Sequence, residues 1–181
     1  GDMNLLKNTH PKDRRINVLL LGMGGKNYPG GTLTDSIIIA SIDPYNKKVS
    51  LLSLPRDLYI PIDDFGNNKI NSIYATGLSY YDNDETKAIR LTKETIGDLF
   101  DIPIHYFALV DFYGFEEFIT IIGGVDVYVK EPINDPFYPD EFAESYLGFS
   151  IDVGQHTFDG ATALKYARSR NFSTLDFIIP L

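Results

Sequence analysis

The chain contains no cysteine, which excludes a disulfide framework, a thiolate zinc ribbon and a thiol nucleophile. Positive charge is also scarce. Sixteen Lys and Arg stand against 25 Asp and Glu, a net charge of −9, so the long-range field repels a phosphate backbone and no nucleic-acid partner is expected. Long apolar runs are missing too. The longest, Ile16 to Leu21 and Ser36 to Ile42, fall far short of the roughly 20 residues a bilayer-spanning helix needs. Gly1-Asp2-Met3 has neither a basic n-region nor an apolar h-region and reads as a junction, with any native anchor or signal lying upstream.

What remains is an ordinary globular composition: 181 residues, 44% hydrophobic and 23% charged. That length suits one core. Ile16 to Leu21 is a short apolar run closed by Gly22, as for a strand buried on both faces. Ser36 to Ile42 and Val49 to Leu54 flank the turn residues Asp43-Pro44-Tyr45-Asn46 and are expected to form a hairpin. Helical spacing appears from about Asn71 to Gly77 and from Glu85 to Phe100, where Ile89, Thr92, Ile96 and Leu99 share a face and Asp84 is positioned to cap. A strand over Ile104 to Val110 follows. After it come a helix over Phe112 to Ile122 stopped by Gly123-Gly124, a strand over Val125 to Val129, and a last helix capped by Asp159. Residues 131–149, with Pro132, Pro136 and Pro139, read as a long surface excursion. The expected fold class is α/β: a single domain with a central mixed sheet flanked by helices, over 16–181, preceded by a linker remnant at 1–15.

Chemistry is sought first in the glycine-rich stretch after the opening strand, where open α/β sheets bind ligands. It matches neither the dinucleotide nor the Walker pattern: Asn27 stands where the former needs its third glycine, and Leu20 and Asn27 occupy required positions of the latter. A bland loop is the competing reading. Asp35, at the exit of that loop, suits either a turn bond or an oxygen ligand for a hard cation. Arg56 directly follows Leu54-Pro55 at a strand end. Arginine there suits bidentate recognition of phosphate, the alternative being a surface pair with Asp57 worth roughly 0–1 kcal/mol. Arg168 and Arg170 lie near the end of the last helix, where they could instead complement its dipole. His10, His105 and His156 have no ligand spacing.

Together these segments carry a resemblance. Val18-Leu19-Leu20-Leu21-Gly22, Leu33-Thr34-Asp35-Ser36, Ser53-Leu54-Pro55-Arg56-Asp57, Lys69-Ile70-Asn71, Gly123-Gly124-Val125-Asp126-Val127 and Leu164-Lys165-Tyr166-Ala167-Arg168-Ser169-Arg170 occur in the order and approximate spacing of the LytR-CpsA-Psr family, from about residue 16 to 177. The resemblance implies a bacterial phosphotransferase on the outer face of the cytoplasmic membrane, tethered by an upstream transmembrane helix. Such an enzyme moves a teichoic-acid-like or capsule-like glycopolymer from a polyprenyl-diphosphate carrier onto a peptidoglycan acceptor. It further implies that Arg56, Arg168, Arg170 and Lys69 bind the diphosphate and that Asp35 helps hold Mg²⁺. Asp57 would either orient Arg56 or take the acceptor proton. The isoprenoid would lie between the sheet and the helix bearing Ile89, Ile96 and Leu99.

Three departures from the family pattern stand out. Gly24 replaces a common acid, Leu33 replaces a common arginine, and the Arg and Arg-Gln-Gln helix expected after Asp176-Phe177 is replaced by Ile178-Ile179-Pro180-Leu181. The C-terminal part of the domain is therefore expected to be cut short. The alternative function is a catalytically lapsed module of the same fold that binds polyprenyl phosphate or glycan.

Overall fold

The structure is a computed structural model that describes residues 15–26, 28–62, 64–139 and 145–169. The mixed α/β class expected from sequence is observed, and the chain divides into two compact units: residues 1–24 with 30–110, and residues 25–29 with 111–181.

The first unit is built on a four-stranded sheet in the order β3-β2-β1-β6, with β1 Ile16–Met23, β2 Thr34–Asp43, β3 Lys48–Leu54 and β6 Tyr106–Val110. β1 runs antiparallel to β2 and parallel to β6, and β2 pairs antiparallel with β3, so the sheet is mixed and the expected hairpin is present. Burial alternates along β1, placing Leu19 and Leu21 in the core as the pleat requires. Asn17 is buried on that same face. It is satisfied because Nδ2 donates to the Pro103 carbonyl and its backbone N–H donates to His105 Nδ1, which gives His105 a structural role. A second hairpin, β4 Tyr59–Ile62 with β5 Gly66–Lys69, was not foreseen from periodicity, because four-residue strands carry too little pattern.

Two helices follow, α1 Ile73–Tyr80 and α2 Glu85–Phe100. Asp84 caps α2 by accepting from the Lys87 N–H, and Asp101 ends it in the left-handed region. The helices meet at Gly77, where an added Cβ would lie 2.8 Å from the Ala88 Cα. Ile89, Thr92 and Ile96 face the core, but Leu99 is exposed. The core that Ile89 and Ile96 join also takes in Leu19, Ile37 and Ile73, while a groove of about 510 Å³ runs along α2 past Ile89, Gly97, Ile104 and Phe107.

The second unit contains α3 Phe112–Ile121, β7 Val125–Val129, β8 Ile133–Asp135, β9 Phe149–Ile151, β10 Gly154–Phe158 and α4 Gly160–Arg168. β7 pairs with β10, and β8 with β9, both antiparallel. The expected excursion over 131–149 is thus partly a strand pair, whose three-residue strands are too short to read from sequence. α3 stops at Gly123 and Gly124, both at positive φ, with the Gly124 N–H closing back on the Ile119 carbonyl. Asp159 caps α4 by accepting from the Thr162 N–H. Ile119, Val129, Phe158 and Ala163 form this unit's core. Among the described residues no helix is long and apolar enough to cross a membrane.

Candidate functional site

In the first unit a β-bulge creates the site. β1 and β2 pair in register as far as Gly22 opposite Ser36, then Met23 lies opposite Thr34, leaving Asp35 as the extra residue. Strict alternation would send Asp35 to the opposite face from both its neighbours. Instead Thr34 is fully buried while Asp35 and Ser36 are both exposed, the re-aiming that a bulge performs. The strands stay close because position 22 is glycine: an added Cβ there would stand 3.1 Å from the Ser36 Cβ.

Arg56 reaches the same place from a turn at the end of β3. Pro55 ends the strand, and the Leu58 N–H returns to the Pro55 carbonyl. The Arg56 carbonyl accepts from the Asn71 N–H, and the Asn71 carbonyl accepts from the Thr34 hydroxyl. The three segments are therefore tied by hydrogen bonds, the one between Thr34 and Asn71 buried, as well as by their charges.

The charges form an alternating row. Asp35 Oδ1 accepts from Asn71 Nδ2 at 2.9 Å, and Asp35 Oδ2 lies 3.0 Å from the Arg56 guanidinium. Asp57 lies 3.6 Å from Arg56 Nε and 2.5 Å from Lys69 Nζ. All four charged side chains are about half exposed, so the row is accessible and each pair contributes little to stability. Lys69, by hydrogen bond and charge, holds the Asp57 carboxyl below the usual carboxylate range, with Arg56 adding to the effect. What the row fixes is direction: Arg56 is held between two carboxylates, one neighbouring in sequence and one 21 residues away.

In the second unit Arg168 ends α4 inside a ring of aromatic groups. Its guanidinium carbon lies 4.2 Å from the ring centroid of Phe112, 5.3 Å from that of Tyr28 and 5.4 Å from that of Tyr138. One N–H donates to the Tyr138 hydroxyl at 3.2 Å. The helix end itself is closed by the Ser169 N–H on the Lys165 carbonyl, so the Arg168 head group is spent on the rings and a phenol and not on capping carbonyls. Ser169 donates from its hydroxyl to Asp135.

The structure thus brings Asp35, Arg56, Asp57 and Lys69 together in one unit and sets Arg168 in an aromatic cage in the other. Arg170 lies outside the described residues. Asn71, Tyr28, Phe112 and Tyr138 were not singled out by sequence reasoning. Asn71 had a signal, since it closes the Lys69-Ile70-Asn71 motif. The three aromatic residues lie 26 or more positions from one another and had none.

Among the described residues no three His, Cys, Asp or Glu side chains converge as a ready metal cage. Asp35 alone fits the commoner Mg²⁺ arrangement, in which one or two carboxylates join substrate phosphates and water.

The LytR_cpsA_psr family model matches residues 3–177. The regulatory protein MsrR of Staphylococcus aureus is 33% identical over 165 residues, covering 91% of this chain and 45% of its own. The polyisoprenyl-teichoic acid–peptidoglycan teichoic acid transferase TagU of Oceanobacillus iheyensis is 34% identical over 155 residues, covering 86% and 43%. Of solved structures, Bacillus subtilis TagV superimposes with a TM-score of 0.67 at 28% identity, covering 87% of this chain and 57% of that one. TagT with bound octaprenyl pyrophosphate gives 0.65 at 28% identity, covering 91% and 61%. The chain therefore spans less than half the length of these curated relatives and about three-fifths of the solved ones.

Proposed function

We propose, because this chain belongs to the LytR-CpsA-Psr family, that it carries the diphosphate-binding part of a transferase that moves a glycopolymer from a polyprenyl-diphosphate carrier to peptidoglycan. The observation that carries this reading is the fixing of Arg56 between Asp35 and Asp57, in a chain similar to a protein solved with octaprenyl pyrophosphate. A flexible arginine loses rotamer freedom when it grips a phosphate. One already held by two carboxylates has lost most of that freedom in advance.

In the reaction an acceptor hydroxyl attacks the glycan-side phosphorus of the diphosphate. A phosphodiester bond forms, the bond to the bridging oxygen breaks, polyprenyl phosphate leaves with that electron pair, and the hydroxyl proton passes to solvent. Charge on the phosphoryl oxygens is met by the basic residues that the family resemblance assigns to the diphosphate, Arg56, Lys69, Arg168 and Arg170. Asp57, its basicity lowered by Lys69, suits the orienting role better than proton abstraction. Asp35 would hold Mg²⁺ jointly with the substrate; when bound, the ion neutralises diphosphate charge and stabilises the departing phosphate. The working place is the outer face of the bacterial cytoplasmic membrane, where carrier and peptidoglycan meet.

The test is release of polyprenyl phosphate from a polyprenyl-diphosphate-linked glycan in the presence of a peptidoglycan acceptor, with and without Mg²⁺, against Arg56→Ala and Arg168→Ala. Turnover lost in both variants is expected; unimpaired turnover in both refutes the assignment. Gly24 and Leu33, standing where the family commonly has an acid and an arginine, favour a second reading as a binding module. Binding of the donor by the unaltered chain without turnover selects that reading.

A further inference from the structure

We infer that Tyr138 is a positioning residue: it clamps the Arg168 guanidinium so that the remaining N–H donors face an incoming diphosphate already oriented. The inference rests on the function proposed above and extends it to a residue outside the charged motifs.

Tyr138 is itself held. Its ring is 4% exposed, its N–H donates to the Asp135 carbonyl, and its own carbonyl accepts from the Leu147 and Gly148 N–H groups. The hydroxyl is thus a buried oxygen in a fixed place, and burial pushes the phenol above its ordinary pKa, so it stays protonated and neutral. A neutral oxygen can accept a hydrogen bond from Arg168 without cancelling its charge, as a carboxylate would. Arg168 has no acidic partner within ion-pair distance among the described residues, whereas Arg56 has two. The three ring faces hold the cation by their quadrupoles, again without neutralising it. A guanidinium has five N–H donors; with one on Tyr138, four keep their full charge-assisted strength for phosphate oxygens.

The test uses two variants of this chain. Tyr138→Phe deletes the hydroxyl and keeps the ring; Tyr138→Leu removes both. The readouts are the ¹⁵Nε–¹Hε resonance of Arg168, assigned by its loss in Arg168→Lys, and the affinity for farnesyl diphosphate by calorimetry. Far-ultraviolet circular dichroism checks that each variant is folded. The wild-type resonance is expected to be resolved and shifted by the ring currents, and to move on titration with farnesyl diphosphate. Tyr138→Phe is expected to shift and broaden it and to weaken binding about three- to tenfold, and Tyr138→Leu to weaken it further. An unmoved resonance in folded Tyr138→Phe overturns the clamp, and so does a moved resonance with unchanged affinity. A wild-type resonance indifferent to farnesyl diphosphate overturns the proposed function instead, while leaving the contact between Tyr138 and Arg168 to be judged by the ligand-free spectra.

Discussion

Replacing Arg56 by alanine separates a binding role from a bracing one. Arg56 makes two ion pairs, at 3.0 Å to Asp35 and 3.6 Å to Asp57, with its side chain 43% exposed and the two carboxylates 50% and 60% exposed. Exposed pairs of this kind are screened by water and salt and contribute about 0–1 kcal/mol each. Neither carboxylate is stranded by the change, since Asp35 keeps Asn71 and Asp57 keeps Lys69. The Arg56→Ala chain is therefore expected to lose less than about 2 kcal/mol in urea unfolding. Loss of charge-assisted bonds to a phosphate is a different matter, worth ~1.5–3 kcal/mol, or roughly a ten- to hundredfold weaker affinity for farnesyl diphosphate by calorimetry. A variant that unfolds several kcal/mol more easily while binding the ligand unchanged would refute the reasoning, because Arg56 would then be a structural brace.

Other outcomes follow from the same geometry. Asp43, Asp57, Asp84 and Asp159 all have carboxyls held below their ordinary value, chiefly by hydrogen bonds from Asn46, Lys69, Lys87 and Thr162 respectively. Each contributes stability that is complete above the unfolded pKa of about 3.8 and is lost as pH falls through the lower folded value, so the urea midpoint should hold from neutrality to about pH 5 and drop below pH 4. A midpoint that rose on acidification would contradict this. At Gly160 an added Cβ would sit 2.1 Å from the Glu116 carbonyl oxygen, backbone against backbone, so Gly160→Ala should cost about 1–3 kcal/mol and lower the melting temperature; an unchanged melt would mean α3 and α4 do not pack as described. With two carboxylates that are already paired to Arg56 and no cluster of three donors among the described residues, Mg²⁺ should give no calorimetric signal alone at micromolar concentration and should bind only with farnesyl diphosphate present. Tight binding of the ion by itself would contradict a site shared between Asp35 and the substrate.

The sequence by itself determined the elements whose pattern is long enough to register. β1, the β2–β3 hairpin, α2 with its Asp84 cap, the Gly123-Gly124 stop and α4 with its Asp159 cap all follow from period, turn chemistry and capping oxygens, which act within a few residues. The family motifs likewise singled out Asp35, Arg56, Asp57 and Lys69, since those residue types recur at fixed offsets. Tertiary structure decided the rest. That Asp35 faces outward beside Arg56 depends on one unpaired residue in the ladder between β1 and β2, and a one-residue shift of register leaves no mark in composition or period. That Arg168 is held by Tyr28, Phe112 and Tyr138 depends on a loop, a helix start and a proline-rich segment meeting at one point, a coincidence in space between residues 30 to 140 positions apart. Local physics writes strands, caps and turns into the chain; which side chains then become neighbours is settled only when the elements of each unit pack, because a contact energy depends on distance in space and not on distance along the sequence.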